Sequence, residues 1–238
     1  MGGLLQFALN YHTEGAAASP ISYFMFVVVM ILGALLAPIL LAEPSAVIRE
    51  DGSQVLFQQG DSALEEFKAA LRALKDPFIQ RNLLFYLASN WFYTYNFNGF
   101  NGHQFNIRTR GLNSAAFWAA QMAASMRFGQ VLDADLPPRQ RARYGMLLVA
   151  FALLLSLTLA LQDSRQLSCD KGHFGWDKGF RCQLDFWKDA QKCWYPMAIF
   201  VLLGASDAIY QNYAYWLMSM AAGSDGRKTA MYSAVYKG

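Results

Sequence analysis

An acidic residue stands inside one of the most apolar stretches of this sequence. Asp207 lies within LLGASDAIYQNYAYW, and Gln211 follows it at a spacing that brings two side chains onto one face of a helix. A carboxylate in the middle of such a stretch is costly to bury, so it needs either a function or a partner. It could hold a proton or a cation, or it could form an ion pair or an amide hydrogen bond within a helix bundle.

Amides and aromatic hydroxyls fill a second stretch, SNWFYTYNFNGFNGHQF, which has no acidic residue and no base except His103. In a helix, a set of its polar side chains shares one face with Tyr95 beside it: Asn90, Thr94, Asn98 and Asn101. Hydrocarbon offers these groups no hydrogen-bond partner, so the face predicts one of two environments. It lines a cavity together with Asp207 and Gln211, or it packs against another helix through its amides.

The composition is typical of a membrane protein. Of the 238 residues, 55% are hydrophobic and 16% are charged. In a typical soluble domain about a quarter of the residues are charged. Residues 21–42 and 144–161 are uncharged runs of bilayer-crossing length. We therefore predict an all-α, polytopic membrane helical bundle embedded in the lipid bilayer. The net charge of +3 is small and spread out, which does not indicate a nucleic-acid partner.

The hydropathy pattern predicts about five full spans and a truncated sixth. The spans are 21–42, 79–101, 112–132, 144–161 and 195–220, with a further span starting over 229–238. Residues 1–20 are expected to form a non-cytoplasmic loop and the tail of a preceding helix, and residues 43–78 a cytoplasmic linker. Within this linker, a capping box of Ser62 and Glu65 opens an amphipathic helix over 62–75. Its apolar and basic stripes suit either a membrane surface or packing on the underside of the bundle.

Three cysteines lie in or beside one long polar loop, 162–194, that we expect to be non-cytoplasmic. The short loops at 133–143 and 223–228 carry arginines and a lysine, which favours the cytoplasmic side for them, although Arg108 and Arg110 oppose this orientation. In an oxidising compartment Cys169 and Cys182 could form a disulfide, and Cys193 would remain a free thiol. Alternatively, all three thiols stay free. The spacings are too wide for a zinc site.

Four stretches of the sequence resemble one family. SNWFYTYNFNGFNGHQFNIRTRGLN is similar to the seventh-helix signature of the Unc-ninety-three-like branch of the major facilitator superfamily. Further matches are VIREDG, SDAIYQNYAYWLM and GRKTAMYSAVYKG. The resemblance implies a partial major facilitator fold, in which 79–238 is a C-terminal-half bundle. The chain would then be a C-terminal-half fragment that begins near the end of the fifth helix.

A glycine, an acid and three arginines resemble the cytoplasmic latch of major facilitator proteins. In that motif an acid and following bases hold the cytoplasmic ends of paired helices together. The matching residues are Gly129, Asp133, Arg139, Arg141 and Arg143. The arginines come later here than in the usual pattern, after Pro137 and Pro138, and a basic cytoplasmic loop accounts for them equally well.

The resemblance implies a secondary transporter of a small solute or ion. It equally implies a non-transporting membrane partner, such as an ion-channel regulator or a trafficking chaperone that binds a channel or receptor subunit; a truncated chain could also be inactive alone. The sequence contains no phosphate loop, nucleophile elbow or helical His/Glu metal pair, so we predict no enzyme activity, cofactor or metal site. The expected location is the plasma membrane or an endomembrane.

Overall fold

The computed structural model describes residues 2–13, 17–41, 48, 62–166, 168–169, 172–173 and 182–237. Within these residues the regular secondary structure is helical except for one short hairpin and an isolated bridge, which confirms the predicted all-α class. The helices are α1 (Gly2–Leu9), α2 (Pro20–Leu40), α3 (Ala63–Ala73), α4 (Pro77–Ala88), α5 (Trp91–Thr94), a π-helix (Tyr95–Asn101), α6 (Gly102–Gln104), α7 (Ile107–Leu132), α8 (Pro138–Gln166), α9 (Ala190–Ala222) and α10 (Gly226–Lys237). The hairpin pairs β1 (Ser168–Cys169) with β2 (Gly172–His173) antiparallel.

Three of the described helices are long and apolar enough to cross a bilayer. They are α2, α8 and α9, with 21, 29 and 33 residues. α7 is also long, at 26 residues, but its amides and arginines make it less apolar. The exact number of spans and the partial major facilitator fold stay predictions.

The centre of the structure is a layer of three long helices, in which α9 packs against both α7 and α8. The starts of α7 and α9 lie at the same end, because Arg108 and Asp185 are in contact there. Their other ends lie beside the start of α8, where the Tyr213 hydroxyl donates to the Ala142 carbonyl over 2.8 Å. α7 and α9 therefore run in the same direction, and α8 runs against them.

Glycine allows α7 and α9 to approach closely. A Cβ atom on Gly204 would lie 2.6 Å from the Phe117 carbonyl oxygen, so the α9 backbone rests directly on α7 at this level. A glycine also allows α8 and α9 to pack closely, because the ring of Tyr213 on α9 lies directly against Gly145 on α8. Close packing of small residues is a main source of helix association in a bilayer, because lipid removes the hydrophobic driving force between helices.

A buried ion pair joins the start of α7 to the segment that precedes α9. The Arg108 guanidinium donates through Nε to Oδ2 of Asp185 over 2.6 Å and through Nη2 to Oδ1 over 2.7 Å. Arg108 also donates to the Tyr11 carbonyl over 3.0 Å, which draws in the end of the α1 segment. We call this arrangement of Tyr11, Arg108 and Asp185 the clasp.

Hydrogen bonds around the clasp stabilise the ionised form of Asp185. Its carboxylate accepts from the Asn106 amide over 2.5 Å and from the backbone N–H groups of Trp187 and Lys188. Burial alone would raise the pKa of Asp185, but Arg108 and these hydrogen bonds outweigh it and hold the pKa well below its usual range. Asn106 also caps α7, because its side chain accepts from the Thr109 N–H over 3.0 Å.

The predicted span 79–101 is not one continuous α-helix. α4 ends at Ala88, a turn at Ser89 and Asn90 follows, and α5 passes into the π-helix before the short α6. Glycine permits the wide turn: the Gly102 N–H donates to the Phe97 carbonyl, five residues back, and a Cβ on Gly102 would come within 3.0 Å of that oxygen. π-helical turns within α-helices are frequently found at functional sites.

Two helices lie at the periphery. α2 is joined to α1 through the side chain of Asn10. Its Nδ2 donates to the Ser22 hydroxyl over 2.9 Å, and its Oδ1 accepts from the Ser19 N–H over 3.2 Å. Beyond Ser22, the side chains of α2 are exposed or half-buried. α3 lies within the predicted amphipathic segment and packs on α10, with Ala69 and Ala73 buried.

The apolar stripe predicted for α3 points away from the bundle. Leu64, Phe67 and Leu71 are exposed, while the Ser62 hydroxyl accepts from the Glu65 N–H over 3.4 Å at the predicted capping box. Such a face suits a membrane surface, which stays a prediction. The rest of the predicted linker, except Ile48 and residues 62–78, lies outside the described residues.

We expect the substitution Gly204→Ala to destabilise the bundle. The new methyl group would overlap the Phe117 carbonyl, so α7 and α9 must move apart; overpacking of this kind costs about 1–3 kcal/mol. The midpoint of thermal unfolding of the detergent-solubilised full-length protein measures the loss. Gly129→Ala is the matched control, since a Cβ there meets nothing within 4 Å. Equal midpoints for the two variants would refute the close approach.

We expect Asp185→Asn to weaken the clasp strongly. Removing the charge of one partner from a buried ion pair is strongly destabilising, at about 3–5 kcal/mol of unfolding free energy. Chemical unfolding of the full-length protein in micelles, compared with Asp135→Asn, measures the difference. Asp135 is exposed and, in the part of the chain that the structure describes, has no ion-pair partner.

The same pair predicts a dependence of stability on pH. Because the pKa of Asp185 is lowered in the folded protein, its contribution is complete above the unfolded pKa of about 3.9 and is lost as the pH falls toward the folded pKa. The wild type should therefore lose more stability than Asp185→Asn on acidification below about pH 4. Parallel pH profiles for the two proteins would contradict this assignment.

Candidate functional site

Asp207 is held inside the bundle near the middle of α9. It is 1% exposed, and its chain neighbours Ser206 and Ala208 are buried as well. The Ser206 hydroxyl donates to the Ala152 carbonyl over 3.0 Å, which holds this level of α9 against α8. The carboxylate itself faces the other way, toward α5 and α7, because its hydrogen bonds all lead there or along α9.

Three neutral side chains donate hydrogen bonds to Asp207. The Tyr93 hydroxyl on α5 donates to Oδ2 over 2.5 Å, and the Gln121 amide on α7 donates to the same oxygen. Gln211, one turn along α9, donates to Oδ1 over 3.3 Å. All three donors are neutral, so these hydrogen bonds bring no positive charge to the carboxyl group. The site therefore joins α5, α7 and α9 through one acidic group.

Gln211 extends this network to α10. Its amide nitrogen also lies 3.3 Å from the Ser89 carbonyl, in the turn between α4 and α5. Its amide oxygen accepts from the Tyr236 hydroxyl over 2.6 Å and from the Lys237 ammonium over 2.8 Å. Lys237 is exposed and reaches Asp207 through Gln211 rather than by direct hydrogen bonding. We call the group of Tyr93, Gln121, Asp207 and Gln211, with Tyr236 and Lys237 behind it, the Asp207 network.

The predicted amide face is divided between two environments. Asn90, Thr94 and Asn98 are exposed on the outside of the described bundle, beside Trp91, which is 83% exposed. Tyr95 is half-buried, with its ring over Gly99. In the part of the chain that the structure describes, the hydrogen bonds of Asp207 go to Tyr93, Gln121 and Gln211 and to none of these side chains, so a single cavity shared by all the predicted residues stays a prediction.

Asn101 has turned away from that outer face. Its amide oxygen accepts from Asn113 on α7 over 2.9 Å, and its nitrogen donates to the Arg110 carbonyl over 3.4 Å. The π-helix is the cause, because a wider turn shifts the residues after it around the helix axis relative to an α-helix. In the same turn Asn96 is fully buried, and among the described residues neither of its amide atoms has a hydrogen-bond partner.

Tyr93 and Gln121 are direct partners of Asp207 that the sequence did not reveal, and Tyr236 and Lys237 behind them were not predicted either. Tyr93 lies one position away from Thr94, on a side of the segment that was not counted as polar. Gln121 is a single amide among apolar and small residues in AAFWAAQMAAS, within the predicted span 112–132. A lone amide in the middle of a predicted span was the available signal, since such groups seek a partner inside the protein.

The latch residues lie at the opposite end of the bundle from the clasp. Arg141 donates to the Leu132 carbonyl over 3.0 Å and lies over the Trp216 ring at 5.8 Å. Asp133 is exposed and, in the described part of the chain, forms no ion pair with the arginines of α8. Arg141 therefore joins the ends of α7 and α9 through a carbonyl and a ring. A latch through Gly129, Asp133, Arg139 and Arg143 stays a prediction.

The described cysteines differ in their state. Cys182 is disulfide-bonded, and Cys193 is a free, buried thiol at the start of α9. The side chain of Cys169 lies outside the described residues, so its pairing with Cys182 stays a prediction. Among the described side chains, no three His, Cys, Asp or Glu residues come together as a metal site would require.

Comparison with known proteins relates the chain to one family. It is 35% identical over 244 residues to UNC93-like protein 1 and to UNC93-like protein 2 of Arabidopsis thaliana. It is 27% identical over 249 residues to an UNC93-like protein of Schizosaccharomyces pombe. Each comparison covers 100% of this chain, and the chain spans about half the length of these relatives, from 46% to 50%. No family model and no solved structure matches.

The matches confirm the resemblance found in the sequence. Each of them runs along the whole chain, and the structure contains several helices able to cross a membrane. The chain is accordingly part of the UNC93-like family and is a multi-pass membrane protein.

Proposed function

We propose that the protein is a secondary transporter of a small solute or ion in which Asp207 binds the coupling proton or cation. The observation that supports this most directly is a carboxylate, 1% exposed, inside a membrane helix with neutral direct hydrogen-bond donors. A charge at that depth is expensive, so binding of a proton or cation is favourable. Buried acids of this kind mark ion and proton pathways in membrane proteins.

Binding at Asp207 would change the contacts between helices. The ionised acid accepts from Tyr93, Gln121 and Gln211, whereas the protonated acid must donate from one of its oxygens. Either the Gln121 amide then rotates to present its oxygen, or the Tyr93 hydroxyl turns to accept. Gln121 belongs to α7 and Tyr93 to α5. The protonation state of the acid on α9 would therefore change the hydrogen bonds that join α5, α7 and α9. Alternating access requires such a bias between helices around a fixed site.

The exposed amides of α5 and the π-helix supply a surface for the solute. Asn90, Thr94 and Asn98 have no place in hydrocarbon, where amides lack hydrogen-bond partners. We propose that these side chains line an aqueous path. Tyr93, which lies next to Thr94 in the sequence and donates to Asp207, connects this segment to the acid. The solute would bind to amide and hydroxyl groups, and the proton or cation to the carboxylate behind them.

We expect Asp207→Asn in the full-length protein to abolish coupled transport. The amide is nearly the same size as the acid but cannot release a proton or neutralise a cation. Uptake driven by an imposed gradient in reconstituted vesicles should fall by about tenfold or more, in keeping with coupling free energies between sites. The remaining exchange of solute should no longer depend on pH.

Asp163→Asn provides the matched control. Asp163 is also buried, at 6% exposed, and accepts from the Gln104 amide over 2.9 Å, but it lies outside the Asp207 network. Its variant should keep the pH dependence of uptake. Unchanged uptake and pH dependence in Asp207→Asn would exclude the coupling role.

A second candidate function is that of a non-transporting membrane partner, such as an ion-channel regulator or a trafficking chaperone. Two tryptophans at the clasp end favour it, since Trp187 is 74% exposed and Trp194 is 65% exposed. Large exposed aromatic side chains are frequent anchors in protein interfaces. Lipid headgroups can also accommodate them, as in the aromatic belts of membrane helices.

We expect Trp187→Ala to release a bound channel or receptor subunit if this second function is correct. Quantitative mass spectrometry of membrane proteins co-purified with the full-length protein measures the loss, with Trp118→Ala on α7 as control because Trp118 is 46% exposed away from that end. The deletion of the whole loop is unsuitable, since it removes Asp185 and opens the clasp. Solute flux into vesicles that contain the purified protein and no co-purified partner would favour the transporter over the non-transporting partner.

A further inference from the structure

A groove of about 670 Å³ opens on the outside of the bundle between the end of α7 and the start of α8. Its apolar wall includes Val131, Tyr144, Leu147 and Phe151. The polar side chains at its rim are Arg127 and Gln130, one turn apart on α7. The groove therefore has an apolar wall and a small basic rim.

Arg127 is an exposed base on α7. It lies one to two turns before the end of α7, and in the described part of the chain it forms no ion pair or hydrogen bond through its side chain. An arginine near the end of a membrane helix extends its guanidinium toward the interface while its methylene groups cover apolar surface. At that depth the available anions are the phosphates of the lipid headgroups.

The start of α8 continues the same separation of charge and apolar surface. Arg139, Arg143, Leu147 and Phe151 follow each other at intervals of four residues and so lie along one side of the helix. The two arginines are exposed and precede the apolar pair. Asp133 and Asp135 in the connecting loop are the acids nearest in sequence, and neither is paired with these arginines in the described structure.

We propose that this groove binds one anionic phospholipid from the adjoining leaflet. Its phosphate would be held by Arg127 and the Gln130 amide, and the basic start of α8 would attract the negative headgroup. One acyl chain would lie along Leu147 and Phe151, which are 64% exposed in each case. The order of charge and hydrocarbon along the groove matches the order within a phospholipid, and Tyr144 stands at the level where aromatic side chains meet headgroups.

The test uses the full-length protein, stripped of lipid in detergent, and its midpoint of thermal unfolding. Added phosphatidylglycerol should raise the midpoint by about 5 °C or more, the effect of a ligand well above its Kd. Phosphatidylcholine with the same acyl chains should raise it much less. Arg127→Gln should remove most of the difference between the two lipids, whereas Arg165→Gln, at the other end of α8, should retain it.

A second variant separates the groove from its charge. Val131→Trp fills the groove and leaves Arg127 in place, so it should also lose the response to phosphatidylglycerol. After phosphatidylglycerol is added, native mass spectrometry should show one bound lipid on the wild type and none on either groove variant. The proposal is overturned if the two lipids act alike, if inorganic phosphate reproduces the shift, or if Arg127→Gln keeps the full response. Midpoints without lipid show whether each variant is folded.

Discussion

The ion pair of Arg108 and Asp185 determines how the central helices meet. It joins the first turn of α7 to the segment that leads into α9, and both charges are buried. Because a helix is a rigid element, fixing its start fixes the level of each residue farther along. The clasp therefore contributes to the alignment that brings Gln121 to Asp207, and the close contact of Gly204 with Phe117 lies between these two points. In a bilayer these specific contacts matter more than hydrophobic burial, which lipid supplies equally well.

Part of the site could be predicted from local spacing. Asp207 and Gln211 lie one turn apart in the sequence, and the structure brings them together by a hydrogen bond. Membrane class and family also followed from composition and from the quoted motifs. Tyr93 and Gln121 could not be found in this way, because their relation to Asp207 depends on which sides of three helices meet. Arg108 was treated as evidence about orientation, whereas its partner lies in a distant loop and its charge is neutralised there.

The amide face shows where periodicity fails. Counting residues along 89–110 assumes an α-helix, but the chain turns at Ser89 and Asn90 and then widens into a π-helix. Asn98 consequently stays outside, whereas Asn101 turns inward to Asn113. Gly99 and Gly102 were the local sign of this change. Their effect on the direction of each side chain required the three-dimensional structure, since glycine permits several backbone paths.

The lengths of α8 and α9 have a consequence for the acid that they enclose. At about 1.5 Å per residue both helices exceed the roughly 30 Å of hydrocarbon in a bilayer, so their ends stand among the headgroups and the water beyond. Measured along α9 from Tyr195, where an aromatic side chain suits the boundary, Asp207 lies about 18 Å deep. The carboxylate is thus close to the midplane. In the transport that we propose, a proton or cation arriving from either side would cross about half the thickness of the membrane, guided by protein groups alone.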